Sequence, residues 1–321
     1  MPDSALDYLR GPDWRGVEQD LAWLERPGNH LLQLADTRYP PLLRQIHQPP
    51  PLLFIHGEPD SLRTPQLAIV GTRNPTPPGR ETARHFAAHL AEGGLTITSG
   101  LALGIDAAAH QGALASGGRT IAVMGTSLDR VYPAKHRDLA HAIAESGALV
   151  SELPIGTAAL AENFPRRNRL ISGLALGVLV VEAAIQSGSL ITARLALDQG
   201  REVFAIPGSI HNPLVKGCHA LIRQGAKLVE TATDILEELD ALAAVVTNQP
   251  TASSALAETA SRLDEDYRQL LAAMGDGPVG VDLLVERCGL TAEAVSSMLL
   301  ILELEGYATA VPGGLYCRLK P

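Results

Sequence analysis

Three short turns carry residue types suited to holding phosphate. Gly71-Thr72-Arg73 follows the apolar run 67–70. The glycine lets the backbone turn tightly, the N–H groups of the turn can face an anion, and Arg73 can fork onto a phosphate. The stretch Ser99-Gly100-Leu101-Ala102-Leu103-Gly104-Ile105-Asp106 follows the next apolar run and brings Ser99, Gly100 and Gly104 to the start of a helix. Ser187-Gly188-Ser189 precedes a third helical stretch. Free N–H groups and the helix dipole make such N-termini attractive to phosphate. Each turn alone could be no more than a tight strand-to-helix connection. Together, at strand ends where open α/β sheets bind ligands, they predict a phosphate-binding surface.

Phe164-Pro165-Arg166-Arg167-Asn168-Arg169 adds a ring followed by guanidinium groups. That order suits a single nucleic-acid strand, whose bases stack while its phosphates pair, each stacked base contributing about 1–3 kcal/mol. The competing reading is a core phenylalanine beside a solvated arginine face. Other chemistries lack their residues. The chain has no Gly-Lys dipeptide and hence no Walker A loop, no G-x-S-x-G elbow and no H-E-x-x-H, and its α/β region has no G-x-G-x-x-G. His85 and His89 stand four apart without a third ligand, so no metal and no cofactor is expected. Asp106 and His110, also four apart, read as scaffold rather than as acid and base.

These turns need a parallel sheet to position them. Apolar runs at 67–70, 95–98, 120–124, 148–151, 178–181, 203–206 and 227–229 alternate with helical stretches near 79–92, 104–116, 135–146, 165–175, 188–199 and 214–224. Continuous rather than alternating runs suit strands buried on both faces, so the pattern predicts an α/β, doubly wound, Rossmann-like domain over 61–240. Before it, 1–60 reads as a helical accessory segment, with one amphipathic helix at 13–25 and a short helix at 42–47 between proline clusters. After it, 241–263 is a linker by composition, rich in Ala, Thr and Ser. Three helices and a hairpin around Pro312-Gly313-Gly314 make 264–321 a winged-helix module.

The 321 residues, 46% hydrophobic and 19% charged, describe a globular chain of net charge −9. An acidic total argues against a nucleic-acid partner, since phosphate binding is driven by Lys and Arg releasing counterions. The charge is unevenly spread, however: 60–235 holds 16 basic against 14 acidic residues, while 264–321 holds 4 against 9. Positive charge concentrates on the α/β domain. The helix that would enter a groove, 291–305, contains Glu293, Glu303 and Glu305 and no Lys or Arg, which favours a protein partner over DNA for this module. Its Val295, Met298, Leu299, Ile301 and Leu302 read as core. Cys218, Cys288 and Cys317 have no zinc or disulfide spacing, and the N-terminus lacks a basic leader. A cytoplasmic protein that does not enter membranes is the expectation.

The motifs are those of a known family. Ala68-Ile69-Val70-Gly71-Thr72-Arg73, Thr98 to His110, Phe164 to Gly173, Val180-Val181-Glu182-Ala183, Ser187 to Ala193 and Ala205-Ile206-Pro207-Gly208 closely resemble the DNA-processing protein A (DprA, or Smf) family, from about Tyr39 to Leu236. The resemblance implies an extended Rossmann-like domain that binds single-stranded DNA, forms homodimers and loads the recombinase RecA during natural transformation, without catalysis. It places DNA contacts at Arg73, at the Ser99–Gly104 turn and at Phe164 with its following arginines. The chain departs from the family pattern at His219, where asparagine is expected. The fold is also similar to nucleotide phosphoribohydrolases of the lysine-decarboxylase-like group, but Gln186-Ser187-Gly188-Ser189-Leu190 stands where those enzymes carry their glutamate loop. A third reading makes the winged helix the main functional surface.

Overall fold

The computed structural model describes residues 14–247, 265–275, 277, 279–304, 307–311 and 315–318. The chain divides into two compact units, 1–242 and 243–321.

The first unit opens with helix α1 (Trp14–Leu24), strand β1 (Asn29–Gln33), the short helix α2 (Pro41–Arg44) and strand β2 (Leu52–Gly57). Alternating strands and helices follow: β3 (Gln66–Val70), α3 (Pro77–Glu92), β4 (Thr96–Ser99), α4 (Ile105–Ala115), β5 (Thr120–Val123), α5 (Arg137–Ser146), β6 (Ala148–Ser151) and α6 (Asn163–Leu174). The unit continues with β7 (Gly177–Val180), α7 (Ser189–Asp198), β8 (Glu202–Ala205), α8 (Lys216–Arg223), β9 (Lys227–Leu228) and α9 (Ala232–Thr247). All nine strands form one sheet in the order β1-β2-β6-β5-β4-β3-β7-β8-β9. From β6 to β9 every pairing is parallel, while β1 and β2 are antiparallel additions on the β6 edge. The order reverses between β3 and β7, and the space above their C-terminal ends is where such sheets bind ligands.

Strands β3, β4, β5, β6 and β7 are buried throughout, as their continuous apolar runs require. Along β3, Ala68 and Val70 face a core shared with α2, α6 and α7, whereas Leu67 and Ile69 face one shared with α3, α4 and α9. The first sixty residues are therefore not an all-helical accessory. β1 and β2 extend the sheet, and Leu32, Tyr39, Leu43, Ile46, Leu53 and Ile55 enter the main core. The Tyr39 hydroxyl donates to Pro50 O at 2.9 Å, so the proline-rich stretch is bound into that core rather than looping free. At 241–247 the chain continues α9 rather than beginning a linker, and the rest of the expected linker lies outside the described residues.

The second unit holds α10 (Glu265–Met274), β10 (Val279–Gly280), α11 (Val281–Cys288), α12 (Ala292–Leu304), β11 (Ala308–Val311) and β12 (Leu315–Arg318), with strand order β10-β12-β11. Val295, Met298, Leu299 and Leu302 of α12 pack into its core with Leu270, Leu271 and Leu284. The hairpin tip at 312–314, residue Glu305, and the side chains of Glu293 and Ile301 lie outside the described residues. No helix among the described residues is long and apolar enough to cross a membrane.

Candidate nucleic-acid interface

The turn after β3 is built around an obligatory glycine. A Cβ on Gly71 would lie 2.6 Å from Ile105 Cγ1 and 2.8 Å from Glu182 O. Its neighbour ties three strand ends together: Thr72 N donates to Glu182 O at 2.7 Å, and Thr72 O accepts from Ile105 N at 3.2 Å. Gly104 crosses directly over that carbonyl at φ +83°, where a Cβ would sit 2.4 Å from Thr72 O. With the backbone so constrained, the Arg73 side chain projects into solvent at the cleft edge. Glu182, which the sequence motifs contain but whose role they do not reveal, is 5% exposed. It accepts from Thr76 N at 2.9 Å and Thr76 Oγ1 at 2.6 Å, locking the start of α3 to the end of β7.

The turn after β4 turns inward. Ser99 is fully buried and donates from Oγ to Ile69 O at 2.6 Å. Gly100 N and Ala102 N donate to Asp106 Oδ2 at 3.1 and 3.3 Å, so the N–H groups that a phosphate would need are already occupied. Gly100 O accepts from Arg167 Nη1 at 2.8 Å, and a Cβ on Gly100 would lie 2.6 Å from that guanidinium. This turn supports the site from below.

The arginine cluster is divided by helical geometry. It lies on α6, whose buried positions Asn163, Arg167, Leu170, Ile171 and Leu174 form one stripe against the sheet. Arg167 is 5% exposed and also donates to Val123 O and, through Nε, to Asn168 Oδ1 at 3.3 Å. Burial pushes its pKa down to about 10 against the opposing pull of Asp106. Burial in turn raises the Asp106 carboxyl, a shift opposed by Arg167. Arg169 pairs with Glu152. Arg166 is exposed but is not part of the cleft lining.

What remains open is a cleft of about 650 Å³ over the strand-order reversal. Its rim brings together Gly71 and Arg73, Phe164 and Asn168, and Ser187, Gly188 and Ser189, with Asp106 and Arg167 in its floor; Thr72, Ser99, Gly100, Gly104, Arg166 and Arg169 do not line it. Ser187 Oγ lies 2.7 Å from Ser189 Oγ and accepts from Ser189 N at 3.4 Å, Leu190 N donates to Ser187 O at 3.1 Å, and the exposed Gly188 precedes α7. The Phe164 ring stands 5.4 Å from that of Tyr132 at an interplanar angle of 49°. Gly125 makes room for it, since a Cβ there would lie 2.7 Å from Phe164 Cδ1. Tyr132, 51% exposed on the loop after β5, presents a second aromatic ring at the cleft, one that the motifs do not include. A lone tyrosine in a loop carries no spacing signal.

Asp106 and His110 do not meet: His110 is fully buried with Nδ1 2.6 Å from Thr120 Oγ1. His85 pairs with Glu81 at 2.8 Å, and no group of three potential metal ligands occurs among the described residues. His219 Nε2 lies 3.0 Å from Gly208 O, joining α8 to the loop after β8.

Residues 30–240 match the family model of DNA recombination-mediator protein A, and 252–314 match the DprA winged helix domain. The chain belongs to the DprA family. Protein Smf of Escherichia coli is 47% identical over 307 residues, covering 95% of this chain and 82% of the relative. The X-ray structure of DprA from Streptococcus pneumoniae superposes with a TM-score of 0.66 at 42% identity, covering 72% of this chain and 79% of that one. The DprA structure from Helicobacter pylori, described for its single-stranded DNA binding mode, gives a TM-score of 0.60 at 30% identity, with 66% and 95% covered. The DprA core model spans the nine-stranded unit from β1 onward, so the N-terminal strands belong to the family domain.

Proposed function

We propose that this DprA-family chain binds single-stranded DNA in the cleft over the β3–β7 reversal, protects the strand, and loads RecA onto it during natural transformation, without catalysing a reaction. The observation that carries the reading is the convergence of Arg73, the exposed Ser187-Gly188 turn before α7 and the Phe164–Tyr132 pair in one cleft. Phosphates pair with Arg73 and with the Ser187-Gly188-Ser189 turn, while a base stacks on the rings. The family description as a recombination mediator, and the strand-binding mode named for the Helicobacter pylori relative, support the same reading.

The finer assignments have their own supports. Three free cysteines favour a reducing compartment, the cytoplasm. Ile185 and Ile210, 63% and 73% exposed after β7 and β8, favour a homodimer through the α/β unit. The acidic composition of 264–321 favours a protein partner for the winged helix. The phosphoribohydrolase alternative is disfavoured by the family membership and by Glu182, whose carboxylate is already engaged by Thr76.

Fluorescence anisotropy with labelled single and double strands tests the binding claim. Single strands should bind more tightly, and Phe164→Ala should weaken them by about 1–3 kcal/mol. Equal affinity for duplex would remove the basis of the proposed site. Release of free base from nucleoside monophosphates would overturn the non-enzymatic reading. RecA filament growth on protein-coated single strands should accelerate when the chain is added.

A further inference from the structure

A second cleft, of about 450 Å³, lies between the loop after β5, helix α5 and strand β2. Its polar lining is Asp129, Arg130, Arg137, His56 and His141. The charges do not cancel. The one carboxylate, Asp129, is already engaged: it accepts from Ser127 Oγ, from Gly156 N of the loop after β6 at 3.2 Å and from Arg130 Nη2 at 3.2 Å. Arg137 is exposed and has no side-chain partner among the described residues. His56 is held by Asn29 Oδ1 at 2.6 Å, which fixes the wall opposite α5. Two guanidinium groups and two imidazoles around one satisfied carboxylate make a cleft suited to phosphate rather than to an apolar or cationic ligand.

The position of this cleft indicates which phosphate it takes. Its Arg130 and Val131 and the first cleft's Tyr132 are consecutive residues of one loop, so the two clefts share a wall. His136 Nδ1 pins that loop to Leu101 O at 3.0 Å, and Ser127 N donates to Thr157 O at 3.4 Å, so the shared wall is braced from both sides. We propose that the second cleft is a phosphate-binding subsite for the same DNA strand, which passes from the first cleft over the Tyr132 loop to Arg137, Arg130 and His141. The proposal rests on the reading of the first cleft as a single-strand site, and it makes the length of DNA covered a property of the loop between them.

The test uses the full chain, labelled oligothymidylates spanning about 4–16 nucleotides, and the variant carrying Arg137→Ala with His141→Ala. Both residues are exposed, and neither lines the first cleft. The variant should match the parent on the shortest strands and bind the longest about fivefold more weakly. Its salt dependence on long strands should flatten by about 0.7 per lost phosphate contact. Equal affinity at every length, or an equal loss at every length, would overturn the second subsite. Binding of inorganic phosphate that depends on Arg137 but does not weaken long-strand binding would assign the cleft to a free anion and also overturn it. Arg73→Ala separates this outcome from failure of the first reading, because it should weaken binding at all lengths whatever the second cleft does.

Discussion

Arg73 and Arg167 carry the same side chain toward the same cleft and do opposite work. Arg73 is exposed, and its replacement by alanine should weaken single-strand binding, flatten the salt slope by about 0.7, and leave the melting temperature unchanged. Arg167 is 5% exposed and bridges Gly100 O, Val123 O and the Asp106 carboxylate region. Arg167→Ala leaves the buried Gly100 O and Val123 O without their donor and should destabilise the fold by about 1–3 kcal/mol for each, measured by chemical unfolding. A variant that lost DNA affinity at full stability would reassign Arg167 to the ligand. His110 makes a separate prediction. Burial pushes its pKa from 6.5 to about 3, with His136 and Arg167 adding to the shift. Between those limits the unfolded chain binds more protons than the folded one, so stability falls as pH drops from 6.5 toward 3. His110→Gln should flatten the fall in melting temperature over that window, and an unchanged slope would refute it.

At the scale of elements, the same division explains what the sequence could tell. The run Phe164-Pro165-Arg166-Arg167-Asn168-Arg169 reads as a cluster along the chain, but at 100° per residue a helix sends Arg167 inward with Leu170, Ile171 and Leu174. The helix itself was legible; applying its period to the charges would have placed Arg167 in the core. The seven parallel strands were legible, above all β3 to β7, because burial on both faces leaves continuous apolar runs. β1 and β2 were not, because prolines flank 52–57 and because β1 mixes Asn29, His30 and Gln33 with its leucines at the sheet edge. The close fit of Gly173 against Ile46 and Leu43, where a Cβ would lie 2.9 Å from both side chains, shows how firmly this N-terminal layer is seated. Removing residues 1–57 should therefore expose the β6 edge and the α6 face. The truncated chain should bind a hydrophobic dye and aggregate, whereas a soluble chain of native melting temperature would show the layer to be dispensable.

For the whole molecule, the net charge of −9 misleads because it averages over units that differ. The nine-stranded unit places the exposed Arg73, Arg130 and Arg137 at two neighbouring clefts, and the winged-helix unit carries 4 basic against 9 acidic residues from 264 onward. A chain ending at Leu242 should keep single-strand affinity within about twofold of the full chain, since phosphate contacts set that affinity. If the exposed Ile210 lies in a homodimer contact, Ile210→Glu should shift the sedimenting species to monomer while leaving the short-strand affinity in place. The most direct measurement is a crystal structure of the chain with a bound oligothymidylate. A phosphate on Arg73 and the start of α7, with a base against Phe164 or Tyr132, is the result this reading requires. A strand bound elsewhere, with the cleft over β3 and β7 empty, would contradict it.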